Sequence, residues 1–292
     1  MTLPIDQIRE EFERRLDGSR RLVLTAETGA GKSTRVPVWL AERFQGLILV
    51  IEPRRVACDA LAEFLSSQRG ERVGGYFGSR VRFSDRSSHD TRVLFCTPGV
   101  ALRMLAGSAP PGAIIVDEFH ERSWQMDLVV AAAASLSRLQ GVPLVLTSAT
   151  IDADSAAATL GASTLHAAGR TFPVDISYDQ SSIEPSTHEI GARVGSAVIQ
   201  SLRDHAGDVL VFLPSLKEIR AAESTLGRCR EEVLIVHGSQ SPEVMRRVFQ
   251  SSKRRRVYLC TNVAETSITL PGVRVVIDSG LAKTRLHRAG RA

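Results

Sequence analysis

Two apolar runs in this sequence each end in a short polar segment that is typical of nucleotide sites. Residues 22–24 lead into A-E-T-G-A-G-K-S-T at positions 26–34, and residues 114–116 lead into D-E-F-H at positions 117–120. Short continuous apolar runs are typical of buried strands in a parallel sheet. The pair therefore predicts an α/β fold that holds a nucleoside triphosphate and Mg²⁺ where two strands end.

The first polar segment predicts a phosphate-binding loop. Glycines let the backbone N–H groups approach an anion, and the following helix N-terminus favours negative charge. Lys32 would reach the β- and γ-phosphates, Ser33 would ligate Mg²⁺, and Thr34 would cap the helix. Ala26 stands where the usual pattern has its first glycine. The candidate nucleotide-binding residues are Glu27, Thr28, Gly29, Ala30, Gly31, Lys32, Ser33 and Thr34.

The second polar segment supplies the acidic partners of this loop. Asp117 ends an apolar strand, where a carboxylate can hold Mg²⁺ directly or through water. Glu118 follows it and is the candidate general base for the attacking water. An acidic turn after a strand is common by itself, but its pairing with the loop at Lys32 favours the catalytic interpretation.

Further segments follow other apolar runs, and together they carry a family resemblance. E-P-R-R-V-A occupies positions 52–57, T-P-G positions 97–99 and S-A-T positions 148–150. Parallel sheets place ligand sites at the carboxyl ends of their strands, so these segments would share one edge. In this order the segments resemble motifs I, Ia, Ib, II and III of the DEAH/RHA group of superfamily 2 helicases, in its bacterial form. The DEAH box here has phenylalanine in place of alanine.

The resemblance continues through the second half of the chain. V-F-L-P-S at positions 211–215 is similar to motif IV, and T-N-V-A-E-T-S-I at positions 261–268 to motif V. H-G-S at 237–239 and D-S-G at 278–280 follow the family pattern as well. Each block alone is a weak signal, but the ordered set is specific and covers almost the whole chain.

The resemblance implies roles for individual residues. His120, Ser148 and Thr150 would couple the nucleotide site to nucleic-acid movement, and Asp278 and Phe249 would bind nucleotide. Phe249 is equally compatible with a core position, and spacing alone would make the arginines at 54–55 a solvated turn. The family pattern assigns contacts with single-stranded RNA or DNA to Arg54, Arg55, Thr97, Pro98, Gly99, Ser215 and Thr266.

The last residues resemble motif VI cut short. Arg288 and Arg291 match its arginines, with Arg291 at the place of one catalytic finger, and a second finger has no counterpart. An arginine finger stabilises charge on the transferring phosphoryl group and is worth roughly 10³–10⁵ in rate. We therefore expect either a truncated product or a minimal form of a longer helicase.

Alternating strand and helix patterns predict two RecA-like domains, at residues 1–170 and 171–292. Helices are expected over 55–68, 126–139, 190–203 and 217–226. The net charge of +5 suits a polyanionic partner, and 43% hydrophobic residues are enough for full cores. The basic run at 253–256 indicates either a nucleic-acid patch or a charged loop before a buried strand. Four scattered cysteines predict reduced thiols, and the absence of a long apolar run predicts a cytoplasmic protein without a membrane partner.

Three functions fit these observations. The first is an ATP-driven helicase or translocase on single-stranded RNA or DNA. The second is a nucleic-acid-stimulated ATPase that does not unwind duplexes. The third is a nucleotide-binding module with little turnover, because motif VI is incomplete.

Overall fold

The computed structural model describes residues 3–27, 29–107, 109–149, 153–168, 173–178, 189–227, 229–237, 244, 247–248, 252–261, 270 and 272–283. The chain forms two compact units, Met1–Val174 and Asp175–Ala292. No helix in the described ranges is both long enough and apolar enough to cross a membrane.

The first unit alternates strands and helices after a short 3-10 helix at Pro4–Ile8. Its helices are α1 Arg9–Ser19, α2 Lys32–Arg43, α3 Arg55–Gln68, α4 Pro98–Leu105, α5 Trp124–Gln140 and α6 Ala153–Leu160. Its strands are β1 Arg21–Ala26, β2 Ile48–Ile51, β3 Phe77–Val81, β4 Ser84–Arg86, β5 Val93–Cys96, β6 Ala113–Val116, β7 Leu144–Ser148 and β8 Ser163–Ala167.

These strands form one sheet of order β4-β3-β5-β2-β6-β7-β1-β8. All its pairings are parallel except that of β3 with β4, which form a hairpin. The central strands β2, β5 and β6 are buried at every residue, because helices cover both faces. The carboxyl ends of β1, β2, β5, β6 and β7 therefore share one edge of the sheet, where the predicted motifs lie.

The second unit contains a smaller parallel sheet. Its helices are α7 Ile190–Asp204 and α8 Leu216–Leu226, which pack against each other. The strands β9 Asp208–Phe212, β10 Glu232–Val236, β11 Arg256–Cys260 and β12 Val273–Asp278 have the order β10-β11-β9-β12. The predicted fold class, two α/β units with parallel sheets, is confirmed.

Helix α3 has the predicted bounds, and α7 and α8 each differ from theirs by one residue. The sequence analysis missed the hairpin β3–β4 and the edge strand β8. Both contain polar residues and lie toward the sheet's edges, so they lack a continuous apolar run. Of the cysteines, Cys58, Cys96 and Cys260 are buried free thiols, and burial raises the pKa of each.

Candidate nucleotide and nucleic-acid site

The phosphate loop joins β1 to α2 at the carboxyl edge of the first sheet. Gly29 and Gly31 have φ of 81° and 102°, a region that L side chains rarely adopt. A Cβ atom on Gly31 would also lie 2.6 Å from Leu3 Cδ1. The backbone angle therefore favours glycine at position 31, and a side chain there would also have to displace Leu3.

The N-terminal 3-10 helix braces this loop from outside. The Ile5 N–H donates a hydrogen bond of 3.2 Å to the Ala30 carbonyl, and the Ile5 side chain is fully buried. Asp6 forms a 3.1 Å ion pair with Arg35 in α2. The loop is thus held at its centre as well as at both ends.

Lys32 is buried against the loop. Its Nζ donates to the carbonyls of Ala26 at 2.6 Å and Glu27 at 3.1 Å. The predicted cap by Thr34 is wrong. Gly31 occupies the N-cap position, α2 begins at Lys32, and the Thr34 hydroxyl donates back to the Gly31 carbonyl at 3.1 Å. Because the helix begins three residues earlier than that cap would require, Thr34 lies within its first turn.

Asp117 is fully buried directly after β6. Its Oδ1 accepts hydrogen bonds from the Glu118 N–H at 2.9 Å and from the Thr147 hydroxyl. Its Oδ2 is buried without a hydrogen-bond partner among the residues that the structure describes. An unsatisfied buried carboxylate oxygen is costly unless a ligand completes it. This oxygen therefore fits a Mg²⁺ ion or a water molecule bound to one.

Glu118 has a strained backbone and a strongly perturbed side chain. Its φ is 50°, in the left-handed region, and only 6% of the residue is exposed. Burial, followed by the negative charge of Asp117, raises the pKa of the Glu118 carboxyl to about 8, whereas the charge of Lys32 lowers it. The phosphate loop and the acidic segment therefore act on each other electrostatically.

Glu52 is a member of this group that the sequence analysis did not single out. It follows β2, which pairs with β6, so it lies beside the end of the strand that carries Asp117. Neither buried Glu52 carboxyl oxygen accepts a hydrogen bond from a donor in the described part of the chain, and the Asp117 carboxyl is its polar neighbour. Burial, the charge of Asp117 and a hydrogen bond between the two carboxyls raise the pKa of Glu52 well above its usual range. A glutamate at the end of a fully apolar strand was the available signal.

His120 joins the acidic segment to the end of β7. Its Nδ1 lies 3.4 Å from Glu118 Oε2 and 3.3 Å from Ser148 Oγ. Strand β7 lies between β6 and β1 in the sheet, so Ser148 stands between the two halves of the nucleotide site. The structure thus brings together three of the predicted residues, Glu118, His120 and Ser148.

The predicted nucleic-acid segments begin two neighbouring helices. Arg54 is the N-cap residue of α3 and Thr97 that of α4, and neither side chain caps its helix. Their strands β2 and β5 pair in the sheet. Arg55 and Gly99 are exposed, whereas Pro98 is buried. The Arg54 guanidinium Nε lies 3.1 Å from Glu121 Oε2, which connects this segment to the acidic one.

In the second unit, the structure describes two of the predicted site residues, Ser215 and Asp278. Ser215 is the N-cap of α8: its hydroxyl accepts from the Lys217 N–H and donates to Glu218. Asp278 is exposed and accepts a 2.9 Å bond from the Gly280 N–H. Six predicted site residues lie outside the described residues, namely Thr28, Thr150, Phe249, Thr266, Arg288 and Arg291.

The basic run before β11 has a structural role at its C-terminal end. Arg255 donates to the backbone carbonyls of Leu202, His205 and Gly207. Arg256 is buried and forms a 2.8 Å ion pair with Glu232. These contacts favour the charged-loop interpretation over a nucleic-acid patch for both arginines.

Two family models match this chain. Residues 7–159 match the model described as DEAD/DEAH box helicase, and residues 194–292 match the helicase conserved C-terminal domain. The first match alone spans more than half of the chain.

Curated and solved proteins agree with this assignment. The chain is 34% identical to ATP-dependent RNA helicase HrpB of Escherichia coli over 95% of its length, and 34% identical to human ATP-dependent RNA helicase DHX33 over 98%. It spans only 36% and 44% of those proteins. The crystal structure of E. coli DEAH/RHA helicase HrpB matches with a TM-score of 0.82 and 32% identity, over 95% of this chain and 37% of that one. The chain therefore belongs to the DEAD/DEAH box helicase family and resembles its DEAH/RHA members.

Proposed function

We propose that this chain hydrolyses ATP and uses the reaction to move along single-stranded RNA, as the motor part of a DEAH-type helicase. The observation that carries the proposal is the buried Asp117 Oδ2, which lacks a hydrogen-bond partner in the described structure beside Glu118 and Lys32. Buried, unsatisfied ionisable groups are costly, so their retention at one sheet edge supports a ligand of opposite charge.

The phosphate loop would bind the triphosphate of ATP. Backbone N–H groups of residues 27–31 and the start of α2 would surround its β-phosphate, as in other loops of this kind. The Lys32 ammonium, which is bound to the carbonyls of Ala26 and Glu27 in this structure, would turn to the β- and γ-phosphates. Thr34, within the first turn of α2, would lie close to the α-phosphate.

Ser33 and Asp117 would hold Mg²⁺, with Asp117 engaging it through Oδ2. When bound, the ion would neutralise charge that develops on the phosphate oxygens. The Thr147 hydroxyl and the Glu118 N–H fix Asp117 through Oδ1, so the other oxygen keeps one direction. This fixed orientation supports the assignment of Oδ2 as the metal-facing atom.

Glu118 would accept the proton of the attacking water. Its raised pKa makes it a stronger base than an ordinary glutamate, and general bases work best when their pKa lies near the working pH. His120 would couple the protonation state of Glu118 to Ser148, because its Nδ1 contacts both side chains. Thr150 would continue this coupling, as the family resemblance implies.

The single strand would lie across the helix starts that follow β2 and β5. Arg54, Arg55 and the backbone around Thr97, Pro98 and Gly99 would contact its phosphates, which position a strand without reading its sequence. The family resemblance assigns further strand contacts to Ser215 and Thr266. RNA is the first choice because HrpB, HrpA and DHX33 are named as ATP-dependent RNA helicases.

The remaining assignments rest on the resemblance alone. Phe249 and Asp278 would be nucleotide contacts. Arg288 and Arg291 would approach the γ-phosphate, and Arg291 would act as a finger that stabilises the transition state.

Steady-state ATP hydrolysis by this chain, with and without single-stranded RNA and single-stranded DNA, tests the proposal. Turnover that depends on Mg²⁺ and rises with RNA is expected. Turnover with no response to either polymer would leave a nucleotide hydrolase and reject the strand motor. Binding of ATP without turnover would favour the binding-module alternative. A duplex with a single-stranded tail then separates a helicase from an ATPase that does not unwind.

A further inference from the structure

The ion pair between Arg54 and Glu121 connects two segments that are far apart in sequence. Arg54 Nε lies 3.1 Å from Glu121 Oε2, and both side chains are 20% exposed. Arg54 follows β2 and Glu121 lies just beyond β6, and these two strands pair in the sheet. The contact is therefore fixed by the topology of the sheet and is not a chance meeting of surface side chains.

Glu121 is also fixed to the acidic segment by its own backbone. Its N–H donates a 2.8 Å hydrogen bond to the carbonyl of Glu118, which closes a turn after the strained residue. The backbone of Glu121 is thus hydrogen-bonded within the turn that carries Glu118. Its guanidinium partner stands at the start of α3, where the strand is proposed to bind.

A carboxylate bound to one edge of a guanidinium group constrains the directions in which its remaining N–H groups point. An arginine side chain has many rotamers, and its planar fork binds phosphate well only when that plane is oriented. Ordering a long side chain on binding weakens affinity, and this loss is smaller if the side chain is already held.

We propose that Glu121 is a positioning residue that holds Arg54 in the orientation needed to bind a phosphate of the single strand. This rests on the proposed function, because it assigns Arg54 to strand binding. It adds a residue of the acidic segment to the strand-binding apparatus. The same turn that carries the candidate base Glu118 then carries the support of the strand-binding arginine.

The sign of one substitution separates this role from simple electrostatics. Glu121→Gln removes a negative charge, so charge alone predicts tighter binding of a polyanion. Positioning predicts the opposite: binding of a fluorescent single-stranded RNA, measured by anisotropy, weakens about 3- to 10-fold as Arg54 loses its support. The slope of log affinity against log salt also falls by about 0.7, the share of one lost phosphate contact.

A double-mutant cycle tests whether Glu121 acts through Arg54. Arg54→Ala should weaken binding at least as much as Glu121→Gln, and the double variant should bind no more weakly than Arg54→Ala alone. Arg54→Lys, which keeps the charge without the planar fork, should resemble Glu121→Gln and serves if the latter folds poorly. Glu13→Gln removes a carboxylate paired with Arg9 on α1 and should not weaken binding.

The outcomes distinguish the two proposals. If the wild-type chain binds RNA but Glu121→Gln binds it equally or more tightly, the positioning role is wrong and the strand motor stands. Additive losses in the double variant would also reject it. If the wild-type chain binds neither RNA nor DNA, the proposed function fails and the positioning role fails with it.

Discussion

The two units treat buried ionisable groups in opposite ways. In the first unit, Glu52 and Asp117 are buried with oxygens that lack a hydrogen-bond partner in the described structure. In the second unit, the buried Arg256 is paired with Glu232, and the buried Glu218 accepts from Ser215. The comparison teaches that burial alone does not mark a functional group. The second unit pairs these buried charges with protein groups, whereas the described part of the first leaves carboxylate oxygens without a protein donor, as the proposed metal site requires.

The most severe test of the first region is Glu118→Gln. A neutral amide cannot accept the proton of the attacking water, so ATP turnover should fall about 10²- to 10⁴-fold while ATP binding persists. Phosphate release and equilibrium binding of a fluorescent ATP analogue measure the two effects. Glu10→Gln, an exposed change on α1, should leave turnover unchanged. Normal hydrolysis by Glu118→Gln would mean that another group is the base.

Lys32→Ala removes the ammonium that the loop holds in place. Turnover should fall about 10²- to 10³-fold, the usual loss for an electrostatic stabiliser of a transition state. The circular dichroism spectrum should stay that of the wild type. The matched variant Lys217→Ala removes an exposed lysine from the first turn of α8 and should hydrolyse ATP normally. Wild-type turnover by Lys32→Ala would reject the phosphate-loop assignment.

Glu232→Gln tests whether a buried ion pair stabilises the second unit. It weakens the ion pair with the buried Arg256 and should lower the free energy of unfolding by about 3 kcal/mol, as broken buried pairs do. Urea denaturation measures it. The exposed pair of Arg220 with Glu223 provides the control, because Glu223→Gln should cost less than about 1 kcal/mol. Equal losses of unfolding free energy in Glu232→Gln and Glu223→Gln would mean that the buried pair contributes no more stability than the exposed one.

Glu52→Gln should raise the free energy of unfolding, whereas Glu232→Gln should lower it. Because the pKa of Glu52 is raised in the folded state, the folded carboxyl keeps its proton while the unfolded one ionises as pH rises. Wild-type stability therefore declines above the usual glutamate range, and glutamine escapes this loss. We expect Glu52→Gln to be more stable than the wild type by about 1–3 kcal/mol at pH 8, with a smaller gain at pH 5. A variant less stable at pH 8 would mean that the carboxylate is satisfied.

The pH dependence of kcat/KM for ATP tests Glu118 by its titration. This parameter reports the free enzyme, in which the pKa of Glu118 is about 8. A base must be ionised, so kcat/KM should rise about tenfold per pH unit below that value and level off above it. Hydrolysis assays from pH 6 to pH 9 measure the profile. A flat profile over this range would contradict the assignment of Glu118 as the base.

Sequence patterns predicted the elements with clear apolar periodicity. Helix α3 has its predicted bounds because charged flanks delimit its apolar pattern. Edge strands such as β8 were missed, since one exposed side allows polar residues to interrupt the run. Thr34 was given a cap role because the sequence does not show where α2 begins.

The candidate site divides in the same way. Lys32 and Asp117 were found because each belongs to a local pattern after a strand. Glu52 and Glu121 were not given roles, because their neighbours across the sheet are set by the pairing of β2 with β6. That pairing joins residues more than 60 positions apart, as in Arg54 and Glu121. Contacts of this kind depend on topology, which a motif does not contain.

The positive φ of Glu118 has a consequence for laboratory evolution. A non-glycine residue in this region costs about 1–3 kcal/mol, and its buried carboxyl adds a further cost. A library selected only for heat resistance should therefore accumulate glycine or asparagine at position 118 and neutral residues at position 52. We expect the selected variants to be more stable than the wild type and to have lost ATP turnover. Such a library can be screened for variants that gain thermal stability and lose ATP turnover. The substituted positions would identify residues that lower the stability of this protein and are needed for turnover.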